Sequence, residues 1–194
     1  MTMASKAADL HKAALVVDSH NDTIVAHIRR SRLGLSGEPI KDRDRRRGTV
    51  DAMRGSFGAS ERDAEAQINF PAMRAGGIDA AFFAVDVTLA WKSYLPYALD
   101  AVGFFLDEVD EAGDGVVVAR SAEDIRQAKA AGRLAAILAI ENSDVLERSL
   151  NVLRVLHDVG IRSIGLTHNI RSWIADGNAE ARTGGKLTAF GAAV

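Results

Sequence analysis

Near-continuous apolar runs that end in polar residues constrain the fold of this chain more than any other feature of its sequence. Four such runs occupy residues 15–17, 78–87, 134–140 and 161–166, and a shorter one occupies residues 116–118. Strands that are buried on both faces of a parallel sheet have this continuous apolar character. We therefore expect a parallel sheet, with the shorter run as a small additional strand.

Amphipathic segments with start and stop signals separate these runs. Each ends at a glycine, and all but one have a capping residue before the first turn, the pattern of a helix between two strands. The predicted helices extend from Asn69 to Gly76, over residues 97–112 up to Gly113, from Ser121 to Gly132, and from Asp144 to Gly160. In the last of these, Asp144 and Glu147 resemble a capping box. Strands that alternate with helices indicate βα units around a parallel sheet.

Residues 31–59 differ in composition from the rest of the chain. They are rich in Gly, Ser, Asp and Arg, and they include the run KDRDRRR at positions 41–47. A phosphate-binding patch and a solvated surface loop both account for such a run, and the interleaved acids favour the loop. The formal net charge of −2 over 194 residues provides no basic field for nucleic acid. We expect one domain over residues 1–194, with a surface loop at 31–59 and no nucleic-acid partner.

Two further properties limit the location and the chemistry of the chain. The first ten residues lack the apolar segment of a secretory signal, and no stretch approaches the roughly 18 consecutive apolar residues of a membrane span. We therefore expect a cytoplasmic protein with no membrane partner. The sequence contains no cysteine, which excludes disulfides, thiolate metal ligands and a cysteine nucleophile. Any metal must be held by His, Asp and Glu.

Residues that bind metals or transfer protons follow the main apolar runs. His20 and Asp22 follow the first run, Glu141 follows the third, and His168 follows the fourth. In a (β/α) barrel the carboxyl ends of the strands converge on one face, where active sites are built. We therefore expect these four side chains in one cavity. Asp86, near the end of the second run, is a weaker candidate because no second His, Asp or Glu lies beside it in the sequence.

His20 and Asp22 are two residues apart on an extended segment, so their side chains point to the same side. Imidazole and carboxylate both ligate zinc and similar divalent ions. A loop cap, in which Asp22 accepts bonds from backbone amides, also explains this pair, and both interpretations stay open. Glu141 and His168 likewise fit either the cavity or ordinary positions at strand ends. The remaining histidines are expected to be structural or exposed: His11, His27 and His157.

Five segments in order carry a resemblance to a known family. They are VDSHND at 17–22, GGIDAAFF at 76–83, AIE at 139–141, GIRSIGLTHN at 160–169 and KLTAFG at 186–191. No single segment is specific, but five in this order and at this spacing are. The chain resembles the renal-dipeptidase (membrane dipeptidase-like, peptidase M19) metallopeptidases of the amidohydrolase superfamily over nearly its whole length.

The resemblance implies an α/β fold of the (β/α)8 TIM-barrel type with two Zn2+ ions. His20 and Asp22 would ligate one zinc, Glu141 would bridge both, and His168 would bind the substrate and stabilise the tetrahedral intermediate. The substrate would be a dipeptide, split by a hydroxide that the two metals share. The family's two further zinc histidines, its substrate-binding arginine and its catalytic aspartate lie beyond residue 194, so no catalytic residue is assigned in this chain.

A full barrel needs roughly 250 residues, so the resemblance implies that only about the first half of the barrel is present. We expect this chain alone to bind metal weakly and to lack dipeptidase activity. Its open sheet edges favour aggregation or pairing into a homodimer. Two alternatives stay open: another amidohydrolase-like hydrolase acting on a different amide or lactone, and a truncated relative without catalysis.

Asn142 and Ser143 depart from the family pattern, in which two small, glycine-like residues usually follow the glutamate. This departure concerns the wall of the pocket. It therefore bears on substrate preference more than on metal binding.

Overall fold

The computed structural model describes residues 3–24, 34–38, 68–90 and 93–194. Its helices are α1 (Met3–Ala13), α2 (Phe70–Ala75), α3 (Tyr94–Glu111), α4 (Ala122–Ala130), α5 (Leu150–Val159) and α6 (Ala189–Ala193). Its strands are β1 (Val17–Asn21), β2 (Ala80–Asp86), β3 (Val116–Val118), β4 (Leu134–Glu141) and β5 (Ser163–Ile164). Short 3-10 helices occupy Val87–Ala90, Gly113–Gly115, Ser143–Leu146 and Asn178–Thr183. No helix within these ranges is long and apolar enough to cross a membrane.

All the strand pairs are parallel, as the apolar runs predicted. β1 pairs with β2, and β2 pairs with β4 up to the Asp86–Glu141 position at their carboxyl ends. The other edge of β4 is shared, because β3 pairs with its first half and β5 with Ala139 and Ile140 in its second half. β3 is thus the small additional strand expected from residues 116–118. The parallel direction brings the carboxyl ends of β1, β2, β4 and β5 to one side of the sheet.

The two faces of the sheet pack into two separate apolar clusters. On one face, large apolar residues of β2 and β4 form the main core with α2 and α3. Rings from three elements meet there, with centroids 6.0 Å apart for Phe70 and Phe83 and 4.8 Å apart for Phe83 and Phe105. The other face carries small residues such as Ala80 and Ala135. Because side chains alternate along a strand, Glu141 lies on the face of Ala135.

Most of the predicted helix signals are confirmed. Ser121 and Asp124 form a capping box at the start of α4. Asn69 caps α2 by accepting a hydrogen bond from the backbone N–H of Ala72 at 2.8 Å. Gly160 follows α5 with a φ of 126°, a conformation that favours glycine.

The helix expected from Asp144 begins instead at Leu150. Glu147 and Arg148 interrupt it, with left-handed φ values of 46° and 64°, a conformation that cannot continue a right-handed helix. Ser149 caps α5 by accepting a hydrogen bond from a backbone N–H in its first turn. The predicted capping box of Asp144 and Glu147 is therefore wrong.

Two strand predictions differ from the structure. The first apolar run only begins β1, and Leu15 and Val17 are 44% and 40% exposed rather than buried. Among the described strands, β1 pairs with β2 alone, so its outer edge has no strand beside it in that part of the chain. The fourth run, residues 161–166, forms a strand only at β5.

Of the predicted loop at 31–59, the structure describes residues 34–38. Leu35 is fully buried there. It donates its N–H to the Glu108 carboxylate and accepts a hydrogen bond from the Phe70 N–H at 2.8 Å. The charged run at 41–47 and His27 lie outside the described residues.

Candidate metal centre

The carboxyl ends of three strands bring together the residues predicted for a site. His20 lies within β1, and Asp22 is the first residue after it. Glu141 is the last residue of β4, and His168 follows β5 by four positions. Because all these strands are parallel, the four residues lie on the same side of the sheet.

Glu141 is at the centre of this group. Its Oε2 lies 3.9 Å from His20 Nε2, and its Oε1 lies 3.2 Å from His168 Nε2. His20 Nε2 is also 3.4 Å from Asp22 Oδ1. Each histidine therefore faces a different oxygen of the same carboxylate.

Three of these residues fit a metal ion. His20, Asp22 and Glu141 each offer a donor atom, and these atoms all lie within 4.8 Å of one another. Zinc takes such nitrogen and oxygen ligands, typically with three protein ligands and a water. The side chains of His20 and Asp22 are 51% and 56% exposed, so this group is open to solvent on one side. The donor set therefore fits a divalent metal ion held by nitrogen and oxygen ligands.

The environment of Glu141 disfavours its charged form. Burial raises the pKa of the Glu141 carboxyl above its ordinary value, because the side chain loses hydration. His168 and His20 act in the opposite direction, whereas repulsion by Asp22 and Asp86 raises the pKa further. A desolvated carboxylate among other carboxylates is stabilised by a cation, which is the electrostatic condition for a metal ligand.

Asp86, the weaker candidate, is the register partner of Glu141 on the neighbouring strand. Residues paired in this way point to the same face of a sheet. The Oδ1 atom of Asp86 accepts hydrogen bonds from the backbone N–H and the hydroxyl of Thr88, at 2.8 and 2.5 Å. Asp86 is not in the donor group found among the described residues, so its observed influence on the site is electrostatic.

A buried polar network beside the site was not recognised from the sequence. Ser143 and Asp144, in the short 3-10 helix after β4, bond to the segment that follows β5. Asn142 supports them by bonding to Asp144. The polar residues of this network are at most 8% exposed: Asn142, Ser143, Asp144 and Ser172. Asp144 was interpreted as a helix cap, and Asn142 and Ser143 only as a departure from a family pattern. Three polar residues in succession directly after a buried strand were the available signal, because such a turn must place its polar groups against partners.

The other described histidines lie outside the donor group. His11 on α1 contacts the carbonyl oxygen of Gly76 through its Nε2 at 3.1 Å. His157 on α5 is exposed and lies 3.8 Å from the Asp158 carboxylate. Their positions agree with the structural or exposed roles expected for them.

Sequence comparisons relate the chain to dipeptidases. The family model described as "Membrane dipeptidase (Peptidase family M19)" matches residues 4–194. Dipeptidase aclJ of Aspergillus oryzae is 31% identical over 135 residues, which are 63% of this chain and 32% of that protein. The chain thus spans about a third of the length of this curated relative.

Solved structures have a similar fold. A metallo peptidase from Rhodobacter sphaeroides, liganded with a phosphinate mimic of the dipeptide L-Ala-D-Ala, matches with a TM-score of 0.65 and 21% identity. That match covers 91% of this chain and 53% of the other. An amidohydrolase from Pseudomonas aeruginosa matches with a TM-score of 0.62 and 19% identity, over 95% of this chain and 42% of the other. The parallel α/β sheet is therefore about half of a TIM barrel, which confirms the predicted fold class.

Proposed function

Because this chain belongs to the membrane dipeptidase family (peptidase family M19), we propose that it provides part of the metal centre of a zinc-dependent dipeptidase. The observation that carries the proposal is the donor group formed by His20, Asp22 and Glu141 at the carboxyl ends of parallel strands. Active sites of (β/α) barrels are built at this end. The family indicates a hydrolase of the metallopeptidase class.

In this proposal His20 and Asp22 would hold one Zn2+, and Glu141 would be shared between it and a second. Zinc, when bound, polarises the scissile carbonyl and makes the attacking water more acidic. The two oxygens of Glu141 point towards different neighbours, an orientation that would let each oxygen face a different ion. The open side at His20 and Asp22 leaves room for further ligands and for the substrate.

We assign His168 to substrate binding rather than to a fourth ligand of this group. Its Nε2 is held by the Glu141 carboxylate, and its side chain is 37% exposed. The exposed part of the imidazole faces solvent beside the metal ligands. Once the Glu141 carboxylate is engaged by metal, the Nε2–H of His168 would be free to donate a hydrogen bond to the oxygen that becomes negative during hydrolysis.

Dipeptides are the proposed substrate class. The family and the Aspergillus relative both carry the name dipeptidase, and the Rhodobacter structure is liganded with a phosphinate mimic of L-Ala-D-Ala. A phosphinate has a tetrahedral phosphorus in place of the planar peptide carbon. It is therefore the appropriate probe for a site that stabilises a tetrahedral intermediate.

Calorimetric titration with Zn2+ tests the metal centre. We expect wild type to bind weakly, because at most three ligands of one site lie in the described residues. His20→Gln should abolish the binding heat, whereas His157→Gln, a matched change at the exposed histidine of α5, should leave it unchanged. Equal binding by wild type and His20→Gln contradicts the proposed centre.

A dipeptide hydrolysis assay with added Zn2+ tests the activity. We expect no turnover by the 194-residue chain, because the donor group found among the described residues has only three members and holds at most one ion. Turnover that is lost in Glu141→Gln would contradict this expectation and would mean that the chain assembles a complete site. Zinc binding without affinity for the phosphinate would instead favour a metal-binding relative without catalysis.

A further inference from the structure

The contact between His168 and Glu141 is not explained by strand pairing. β5 ends at Ile164, and the next backbone bond to β4 runs from the Gly165 N–H to the Ile140 carbonyl at 2.9 Å. His168 lies three residues further on. Other contacts must hold its imidazole 3.2 Å from the Glu141 carboxylate.

The segment that carries His168, residues 165–177, is here called the His168 loop. It is closed at its base, because the carbonyl of His168 accepts a hydrogen bond from the Asn178 N–H at 2.9 Å. The carbonyl of Asn169 accepts another from the Ala179 N–H, also at 2.9 Å. These bonds close the loop on the chain that follows it, but they do not connect it to β4.

Ser143 connects the turn after Glu141 to the His168 loop, whose own Ser172 bonds to the same carbonyl as Ser143. Ser143 Oγ donates a hydrogen bond to the Leu166 carbonyl at 2.5 Å, and Ser172 Oγ donates to the same carbonyl at 2.9 Å. The two hydroxyl oxygens are 3.3 Å apart. Ser143 is fully buried and Ser172 is 6% exposed, so water does not compete for these bonds.

Asp144 makes a second connection further along the loop. Its Oδ1 accepts a hydrogen bond from the Trp173 N–H at 2.9 Å. Asn142 orients this carboxylate, because its side-chain amide donates to Asp144 Oδ2 at 3.2 Å and accepts from the Asp144 N–H at 3.1 Å. Ser143 and Asp144, two and three positions after Glu141, therefore hold the His168 loop on both sides of His168.

We propose that Ser143 and Asp144 are positioning residues that hold His168 against Glu141. They act through the loop backbone at Leu166 and Trp173 and touch neither substrate nor metal. The significance of this position for substrate binding rests on the proposed function. The contact itself needs neither metal nor substrate and can be measured without them.

Nuclear Overhauser contacts between the His168 ring protons and the Glu141 side-chain protons test the inference in the metal-free chain. The His168 signals are assigned by their absence in His168→Gln. We expect Ser143→Ala and Asp144→Ala to abolish or strongly weaken these contacts. Ser121→Ala, which removes a serine cap at the distant helix α4, should preserve them even where it lowers the melting temperature.

Asp144→Asn separates positioning from general loss of structure. It keeps an oxygen that can accept the Trp173 N–H, so we expect it to retain the contacts that Asp144→Ala loses. It remains informative even where Ser143→Ala fails to fold. Unchanged contacts in both alanine variants, or equal loss in Asp144→Asn and Asp144→Ala, would overturn the proposal.

Binding of the phosphinate dipeptide mimic in the presence of Zn2+ separates this inference from the proposed function. We expect Ser143→Ala and Asp144→Ala to weaken phosphinate binding ~10- to 100-fold, the usual effect of losing a supporting hydrogen bond behind a functional side chain. Their Zn2+ affinity should stay at the wild-type value. If wild type does not bind the phosphinate, the proposed function is refuted but the positioning role is not. The positioning role is decided by the Overhauser contacts between the His168 ring and the Glu141 side chain.

Discussion

Asn142 follows Glu141 directly and has a φ of 74°, which is unusual for a residue other than glycine. Its side chain offsets part of the strain through the two hydrogen bonds it forms with Asp144. The glycine-like residues of the family pattern fit the same backbone without a side chain. Asn142 is thus a strained residue that also supports the Asp144 carboxylate, which holds the His168 loop.

Substitution of Asn142 tests this combination of strain and support. Asn142→Ala keeps the unfavourable φ and loses both bonds, so we expect the free energy of unfolding to fall by about 2 kcal/mol. Asn142→Gly loses the bonds but adopts positive φ readily, so its loss should be smaller. Urea unfolding measures both, and an alanine variant as stable as wild type would contradict the argument.

The raised pKa of Glu141 makes the stability of the metal-free chain depend on pH. The folded state keeps the proton to a higher pH than the unfolded state does, so stability falls as pH rises from the ordinary glutamate pKa through the raised value. Glu141→Gln removes this unfavourable contribution. We expect a higher melting temperature than wild type near pH 7 and no difference below about pH 4.

The same Glu141→Gln variant should bind Zn2+ more weakly, so that stability and metal binding change in opposite directions. Glu123→Gln on α4, whose side chain is 62% exposed, is the matched control. It should alter neither property. A lower melting temperature for Glu141→Gln at pH 7 would show that the carboxylate stabilises the fold instead.

At the scale of secondary-structure elements, three aromatic rings join α2 and α3 to the sheet. Phe70, Phe83 and Phe105 are fully buried and contact one another edge-on or tilted. They come from α2, β2 and α3 respectively. This cluster anchors β2, the strand between the two strands that carry the metal-ligand candidates.

Phe105→Ala should remove the ring that contacts both of the others. We expect the free energy of unfolding to fall by about 3–5 kcal/mol, the usual cost of such a cavity. Leu99→Ala on the same helix, where the side chain is 43% exposed, should cost less than about 1 kcal/mol. Similar losses for the two variants in thermal unfolding would show that the cluster does not anchor α3.

At the scale of the whole molecule, apolar side chains are exposed at two places along the sheet. Val17 lies in the edge strand β1 and is 40% exposed. Leu166, Ile170 and Trp173, which follow β5, are 50%, 62% and 47% exposed. Exposed apolar groups beside strand edges favour association between chains.

We therefore expect the purified chain to self-associate in a concentration-dependent manner. Ile170→Glu places a charge among the exposed residues after β5 and should shift the population towards monomer. Leu99→Glu, a charge on a separate helix surface, should leave the distribution unchanged. Light scattering after size exclusion measures this, and a wild-type chain that is monomeric at all concentrations would contradict the expectation.

The sequence by itself determined the parallel strands, most of the helices and the order in which these elements carry functional residues. Its apolar runs predicted the parallel strands, because a strand covered on both faces requires apolar side chains throughout. The positions of His20, Asp22, Glu141 and His168 after those runs placed them at one side of the sheet, because parallel strands end on the same side. These inferences depend only on local pattern and on the geometry of a parallel sheet.

Only the tertiary structure decided how the site is supported and where α5 begins. Asp144 was expected to start a helix, but its carboxylate accepts the N–H of Trp173, 29 residues away, and left-handed residues follow it. The raised pKa of Glu141 likewise arises from burial and from charges on other strands. Such properties depend on which distant residues meet, and a local sequence pattern carries no information about those partners.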